Sequence, residues 1–167
     1  MRTPRLGARA FIIPFALAGA VLFSTAPSTP ASAATITTEG QQIVQIAKWQ
    51  IGDPWRYGAA GPYAFDCSGL VRYAYKRAGD YAVLRSGALR SARSMYLWFR
   101  SHGKTSRTNP KIGDLVVWGY GSHIGIYIGA GKAISTLTSG VRIHGIYAVR
   151  ATFTTFIHTG MSTKPVS

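Results

Sequence analysis

Asp66-Cys67-Ser68-Gly69 contains the sole cysteine of this 167-residue chain, at a point where a loop-like stretch gives way to an amphipathic pattern. A thiol with a pKa of about 8.5 is only a few per cent thiolate at neutral pH, so cysteine chemistry needs a base close to the sulfur. Leu70, Val71, Ala74, Tyr75 and Ala78 follow the three-and-four spacing of one helical face, with Arg72, Lys76 and Arg77 opposite. Asp66 is the expected N-cap and Gly79 the stop. Cys67 then falls in the first turn, where unpaired N–H groups and the positive end of the helix dipole favour a thiolate. A buried, inert packing cysteine is the competing account of the same position.

Four histidines are available as the base. His123 opens the run His123-Ile124-Gly125-Ile126-Tyr127-Ile128, whose alternation predicts a strand with the isoleucines on one face and His123, Gly125 and Tyr127 on the other. It stands beside a Gly-Ser turn, where a side chain can face a cleft. His102 sits in a polar loop and reads as solvated. His144 and His158 fall on later strands and read as ordinary sheet residues.

The elements that must position these groups follow from periodicity. Ala92, Met95, Tyr96 and Phe99 mark a second buried helical face, which leaves Arg93 and Arg100 on one flank. From Asp114 onward the period changes to that of strands, at Asp114 to Trp118, His123 to Ile128, Lys132 to Thr136, Val141 to Ile146 and Thr152 to His158. Helices first and then an antiparallel meander predict an α+β domain, with N-terminal helices packed on an antiparallel sheet and Cys67 at a helix N-terminus.

Arg2, Arg5 and Arg9, the apolar stretch from Ala10 to Phe23, and Ala31-Ser32-Ala33 have the form of a signal peptide over 1–33, which implies a secreted protein. The apolar run is shorter than the roughly 18 to 20 residues that span a bilayer, and Pro14 interrupts it, so no stable membrane anchor is expected after cleavage. A short lead-in over 34–40, one domain over 41–160 and a flexible tail over 161–167 complete the expected organisation. A solitary cysteine in an oxidising space has no partner in the chain, which favours a reactive thiol.

The formal charge of +14 becomes +11 without the three signal arginines. Between Asp80 and Asp114 lie Arg85, Arg90, Arg93, Arg100, Lys104, Arg107 and Lys111, with no acid. For an exported protein this basic surface suits anionic wall polymers, although a solvated helix face accounts for it equally. Nucleic acid is not expected, because the nearby aromatics fall on the apolar face and no recognition motif accompanies the charge.

The block Asp66-Cys67-Ser68-Gly69-Leu70-Val71, preceded by Ala60-Gly61-Pro62 and Phe65, together with Gly113-Asp114-Leu115-Val116 and His123 to Gly129, closely resembles the NlpC-type peptidoglycan endopeptidases of the papain-like cysteine peptidase superfamily. The resemblance runs from about Gln41 to Ile146. It implies Cys67 as nucleophile and His123 as base, acting on wall stem peptides, typically at the γ-D-glutamyl-diamino acid bond, through a thioester. It also implies that Trp55 shapes the site, that Asp66 and Ser68 hold the peptide's amino end, and that Arg85-Ser86 lines the cleft. Three departures stand out: Trp55 where tyrosine is usual, Ala59 where a second glycine is usual, and Ser135 where the family places a polar residue, normally histidine, to orient the imidazole. Ser135 itself or a backbone carbonyl, His144 or His158 from a neighbouring strand, or a weakened enzyme are the alternatives at that third position.

No phosphate-loop pattern, metal-ligand spacing or pair of acids suited to glycoside hydrolysis accompanies these residues, and no cofactor is expected. The expected function is a secreted cysteine endopeptidase of peptidoglycan. A wall-binding protein without useful catalysis, or an amidase or transacylase on the same dyad, are the alternatives.

Overall fold

Thr38 starts the first helix: its hydroxyl accepts from Gln41 N–H while the Gln41 side chain returns to Thr38 N–H, a reciprocal capping box. The computed structural model describes residues 35–166, so the signal segment expected over 1–33 lies outside the described residues. Among the described residues the α-helices are α1 (Glu39–Lys48), α2 (Cys67–Arg77) and α3 (Ala92–Ser101). Helix α2 begins and ends as its sequence predicts, with Asp66 as N-cap and Gly79 in the left-handed backbone region just beyond the end. Its Leu70, Val71, Ala74 and Tyr75 are fully buried, as are Ile43 and Ala47 of α1 and Met95 of α3.

Among the described residues six strands form one antiparallel sheet: β1 (Thr105–Ser106), β2 (Leu115–Trp118), β3 (His123–Gly129), β4 (Lys132–Leu137), β5 (Gly140–Gly145) and β6 (Phe153–Ile157), in the order β1-β6-β2-β3-β4-β5. Strands β2 to β5 are the predicted meander. Strand β6 does not continue it but returns beside β2, pairing Leu115 with Ile157 and Val116 with Phe156. Burial accounts for this: β5 is buried only at Gly140 and Val141, whereas β6 carries Phe153, Phe156 and Ile157, which need a covered position. Strand β1 pairs with β6 and is too short for alternation to reveal it.

The sheet's two faces bury different sets. Leu115, Val117, Ile124, Ile126 and Ile134 join the helices in the main core. Val116, Trp118, Tyr127, Ala133 and Phe156 form a second cluster on the other face. The predicted split of β3 is therefore observed, with Ile124 and Ile126 toward the helices and Tyr127 opposite.

Residues 161–166 depart from the expected loose end. Gly40 N–H donates to the Met161 carbonyl at 2.9 Å and Glu39 N–H to the Lys164 carbonyl at 2.8 Å. Lys164 Nζ also lies 2.5 Å from Asp80 Oδ1 and 3.9 Å from Glu39 Oε1. The cause is the start of α1, whose first N–H groups have no acceptor within the helix and take them from the returning chain. Helix α1 likewise begins two residues before the expected domain boundary. Among the described residues no helix is long and apolar enough to cross a membrane.

Candidate active site

Asp66 organises the start of α2 with both carboxylate oxygens. Oδ1 accepts from Gly69 N–H at 2.6 Å and from the Ser68 hydroxyl at 2.9 Å, and Oδ2 accepts from Gly58 N–H at 2.9 Å. The first bond is the N-cap. The last ties the preceding loop to the helix, so that Cys67 enters the first turn at a fixed angle. Gly69 allows this packing, because a Cβ there would overlap the Ala59 carbonyl.

Burial pushes the Cys67 thiol above its ordinary range, and the neighbouring Asp66 charge adds to this. The N–H groups of Ile124, Ser68 and Cys67 itself pull in the other direction without overcoming burial. The helix start therefore does not yield the resting thiolate that its position suggests: desolvation of the charged form wins.

His123 lies on the sheet face that carries Trp118, whose ring centroid is 5.2 Å from its own, and at the open end of β3 its ring also borders the cleft that holds Cys67. Its Nε2 is 2.8 Å from Ser135 Oγ, and that oxygen is 2.7 Å from His144 Nε2. Ser135 and His144, alternatives in sequence, are thus joined in one network. With Nε2 engaged, Nδ1 is the ring nitrogen free for the sulfur.

Burial first, and then the charge of His144, lower His123 to about 4. Near neutral pH the resting pair is a neutral thiol and a neutral imidazole, the protonation states that general-base activation of the sulfur requires. Because the pKa is lowered, His123 stays unprotonated until the pH falls toward 4. Protonation of His123 itself is therefore expected near pH 4 and not at the ordinary histidine value of about 6.5. A pH series of imidazole chemical shifts on the labelled protein reads this directly, and protonation of His123 at about 6.5 would contradict the burial of the imidazole.

Cys67 and His123 line one cleft of about 460 Å³, bordered by Trp55, Tyr57, Asp66, Ser68, Arg90, Arg93 and Thr136. A second lobe of about 420 Å³ shares Trp55, His123 and Thr136 with it and adds Arg150. Trp55, 45% exposed, stands between the two lobes. The hydroxyl of Ser68 is engaged by Asp66 and, at 3.2 Å, by the Arg90 carbonyl. Arg85 and Ser86 stand apart from the lining: both occupy left-handed backbone, and the Arg85 guanidinium lies over Trp98 at 5.7 Å.

Arg-Ser steps recur at 85–86, 90–91, 93–94 and 100–101, and sequence offered no means of choosing among them. The second is the one at the cleft, because Ser91 caps α3 and turns the chain there. Thr136 is a site neighbour that the sequence reading missed. Thr136 is 2% exposed and its hydroxyl has no partner. His158 joins a different cluster, with Nδ1 2.9 Å from Asp114 Oδ2 and Nε2 2.7 Å from Ser106 Oγ. Among the described residues no group of His, Cys, Asp or Glu converges as a metal site.

A thiol at a helix start and an imidazole at the open end of an antiparallel strand, both bordering one cleft, define a papain-like α+β domain. The chain belongs to the NlpC/P60 family, whose model matches residues 52–159. It is 36% identical over 115 residues, 68% of this chain and 50% of the relative, to a probable endopeptidase of Corynebacterium glutamicum (strain R). It is 41% identical over 100 residues, 56% of this chain and 35% of the relative, to murein DD-endopeptidase MepH of Escherichia coli K12. The fold is shared with RipD of Mycobacterium tuberculosis, described as a non-catalytic NlpC/p60 domain protein adapted to peptidoglycan binding, at a TM-score of 0.55 and 24% identity over 74% of this chain and 98% of that one. The chain spans about half the length of the first of these relatives.

Proposed function

We propose that this protein is an exported cysteine endopeptidase that cleaves peptidoglycan stem peptides, with Cys67 as nucleophile and His123 as general base. The observation that carries it is the shared cleft: Cys67 and His123 line it together, and Ser135 engages the imidazole's Nε2 so that Nδ1 is left as the base. The Cys67 sulfur attacks the amide carbonyl carbon as its proton passes to His123. The resulting oxyanion collapses to a thioester while the imidazolium returns the proton to the leaving amine. Water, deprotonated by His123, then attacks the thioester carbon, the C–S bond breaks to release the acid, and the imidazolium returns its proton to the sulfur. Oxyanion donors are required at both steps, and the Cys67 N–H, without a helical acceptor at the first turn, is one.

The substrate class rests on the family, on the murein endopeptidase among its relatives, and on the cationic lining by Arg90, Arg93 and Arg150, which suits the free carboxylates of stem peptides. The γ-D-glutamyl-diamino acid bond is the proposed target, and the signal-like segment over 1–33 supports action outside the cell.

The resemblance in fold to non-catalytic RipD, with Ser135 where the family normally places histidine, favours a second reading: a wall-binding protein without turnover. Digestion of purified peptidoglycan by wild type and Cys67→Ala, with products identified by mass, decides between them. New amino termini with wild type alone establish the endopeptidase, and their position gives the bond. Binding by both without fragments would establish the second reading, and products of amide or acyl exchange would mark an amidase or transacylase.

A further inference from the structure

A chain of hydrogen bonds runs from His123 through β4 to β5 and ends on a main-chain carbonyl. His144 Nδ1 is 3.0 Å from the Gly145 carbonyl oxygen, which can only accept, so Nδ1 carries the proton. In its uncharged form His144 then presents Nε2 as an acceptor; it is the charged form that lowers His123 in acid. The Ser135 hydroxyl, 2.7 Å away, donates to it. Having given its one proton, Ser135 Oγ accepts from His123 Nε2–H at 2.8 Å. Nδ1 of His123 is left with a lone pair.

We propose that His144 is a positioning residue that acts through Ser135 to hold His123 as the Nε2–H tautomer, leaving Nδ1 as the base toward Cys67. The assignment rests on the endopeptidase reading for its consequence in turnover, but not for its geometry. Its direction is set at the far end, by a carbonyl that cannot donate. A serine alone lacks this property, because a free hydroxyl could turn its proton toward Nε2 and place the imidazole proton on Nδ1, the wrong tautomer for a base.

The surroundings hold the relay in place. Trp118 is fully buried beside both imidazoles, with ring centroids 5.2 Å from His123 and 5.6 Å from His144, and is itself fixed by donation from Nε1 to the Ile146 carbonyl at 2.6 Å. Gly125 leaves room for the serine, since a Cβ there would come within 2.8 Å of Ser135 Cβ and 2.7 Å of the Ile134 carbonyl. During catalysis the proton arriving at Nδ1 makes an imidazolium whose Nε2–H still donates to Ser135. No proton need pass along the relay.

The test is nitrogen NMR of the labelled protein, which reads the His123 tautomer without substrate and so separately from fragment release. In wild type His123 is expected with Nε2 protonated and Nδ1 bare. His144→Leu, which leaves Ser135 without an acceptor, is expected to shift His123 to a tautomer mixture and to lower kcat roughly tenfold or more with KM little changed. His144→Gln, whose amide oxygen can accept from Ser135, is expected to restore both. Ser135→Ala combined with His144→Leu should lose no more than Ser135→Ala alone, because the two act as one unit. A wild-type His123 with Nδ1–H would overturn the assignment, as would an unchanged tautomer in His144→Leu.

Discussion

Cys67→Ala is expected to abolish release of peptidoglycan fragments, with a fall in kcat of at least about a thousandfold, while the protein stays folded and continues to bind walls. The size of the effect follows from the division of labour in the cleft. His123 and the N–H groups around the sulfur act only on a bond being broken by a nucleophile, so without Sγ there is no thioester for them to stabilise. The loss exceeds that expected for any residue of the relay, because those residues adjust how well the base is held and do not supply the reacting atom. Stability should change little: the sulfur is only partly buried, and its removal leaves a small gap worth on the order of 1 kcal/mol. The helix start is held by Asp66 through Gly69 N–H and Gly58 N–H, neither of which touches the thiol. Fragment analysis by mass and a denaturation curve on the same preparation check both halves. Undiminished release by Cys67→Ala would remove Cys67 as nucleophile.

Local rules in the sequence revealed the frame of this site but not its fine selection. Asp66 as cap, the buried face of α2 and the alternation of β3 depend on residues within a turn or a strand of each other, and all three are observed. What sequence left open depended on contacts between strands distant in the chain. Ser135 and His144 lie nine positions apart on adjacent strands, and only the register of β4 with β5, which pairs Ala133 with His144, brings the imidazole to the hydroxyl. The protonation of Cys67 was misread for the same reason. The helix start is visible locally, whereas burial of the sulfur beneath β3 is a tertiary fact, and it is the larger influence. Among the Arg-Ser steps, the cap at Ser91 decides which one meets the cleft, and that cap is known only once α3 has a start.

Asp114→Ala is expected to cost about 3 to 5 kcal/mol, a large share of the 5 to 15 kcal/mol that holds a domain of this size. The side chain is 2% exposed and has four donors. Oδ2 accepts from Lys111 N–H and His158 Nδ1–H, each at 2.9 Å, and Oδ1 from Thr159 N–H at 3.0 Å and the Thr159 hydroxyl at 3.4 Å. These donors come from the turn before β2 and from the end of β6, two stretches joined in the sheet's centre. His158 extends the tie to β1 through Ser106, at 2.7 Å. Alanine would leave the buried Thr159 N–H without an acceptor and remove the tie to the more exposed Lys111 N–H, and the unmade bonds outweigh the relief of no longer burying a charge. Asp114→Asn keeps the volume but turns an NH2 group toward donors, so a smaller loss of about 2 kcal/mol is expected. Because Asp114 precedes β2 and Trp118 ends it, the relay at His123 lies at the opposite end of the strand, and activity per folded molecule in Asp114→Asn should match wild type. A lower denaturation midpoint with an unchanged slope gives the stability change, and a shift worth less than about 1 kcal/mol in Asp114→Ala would show that the sheet is held at this point by packing alone.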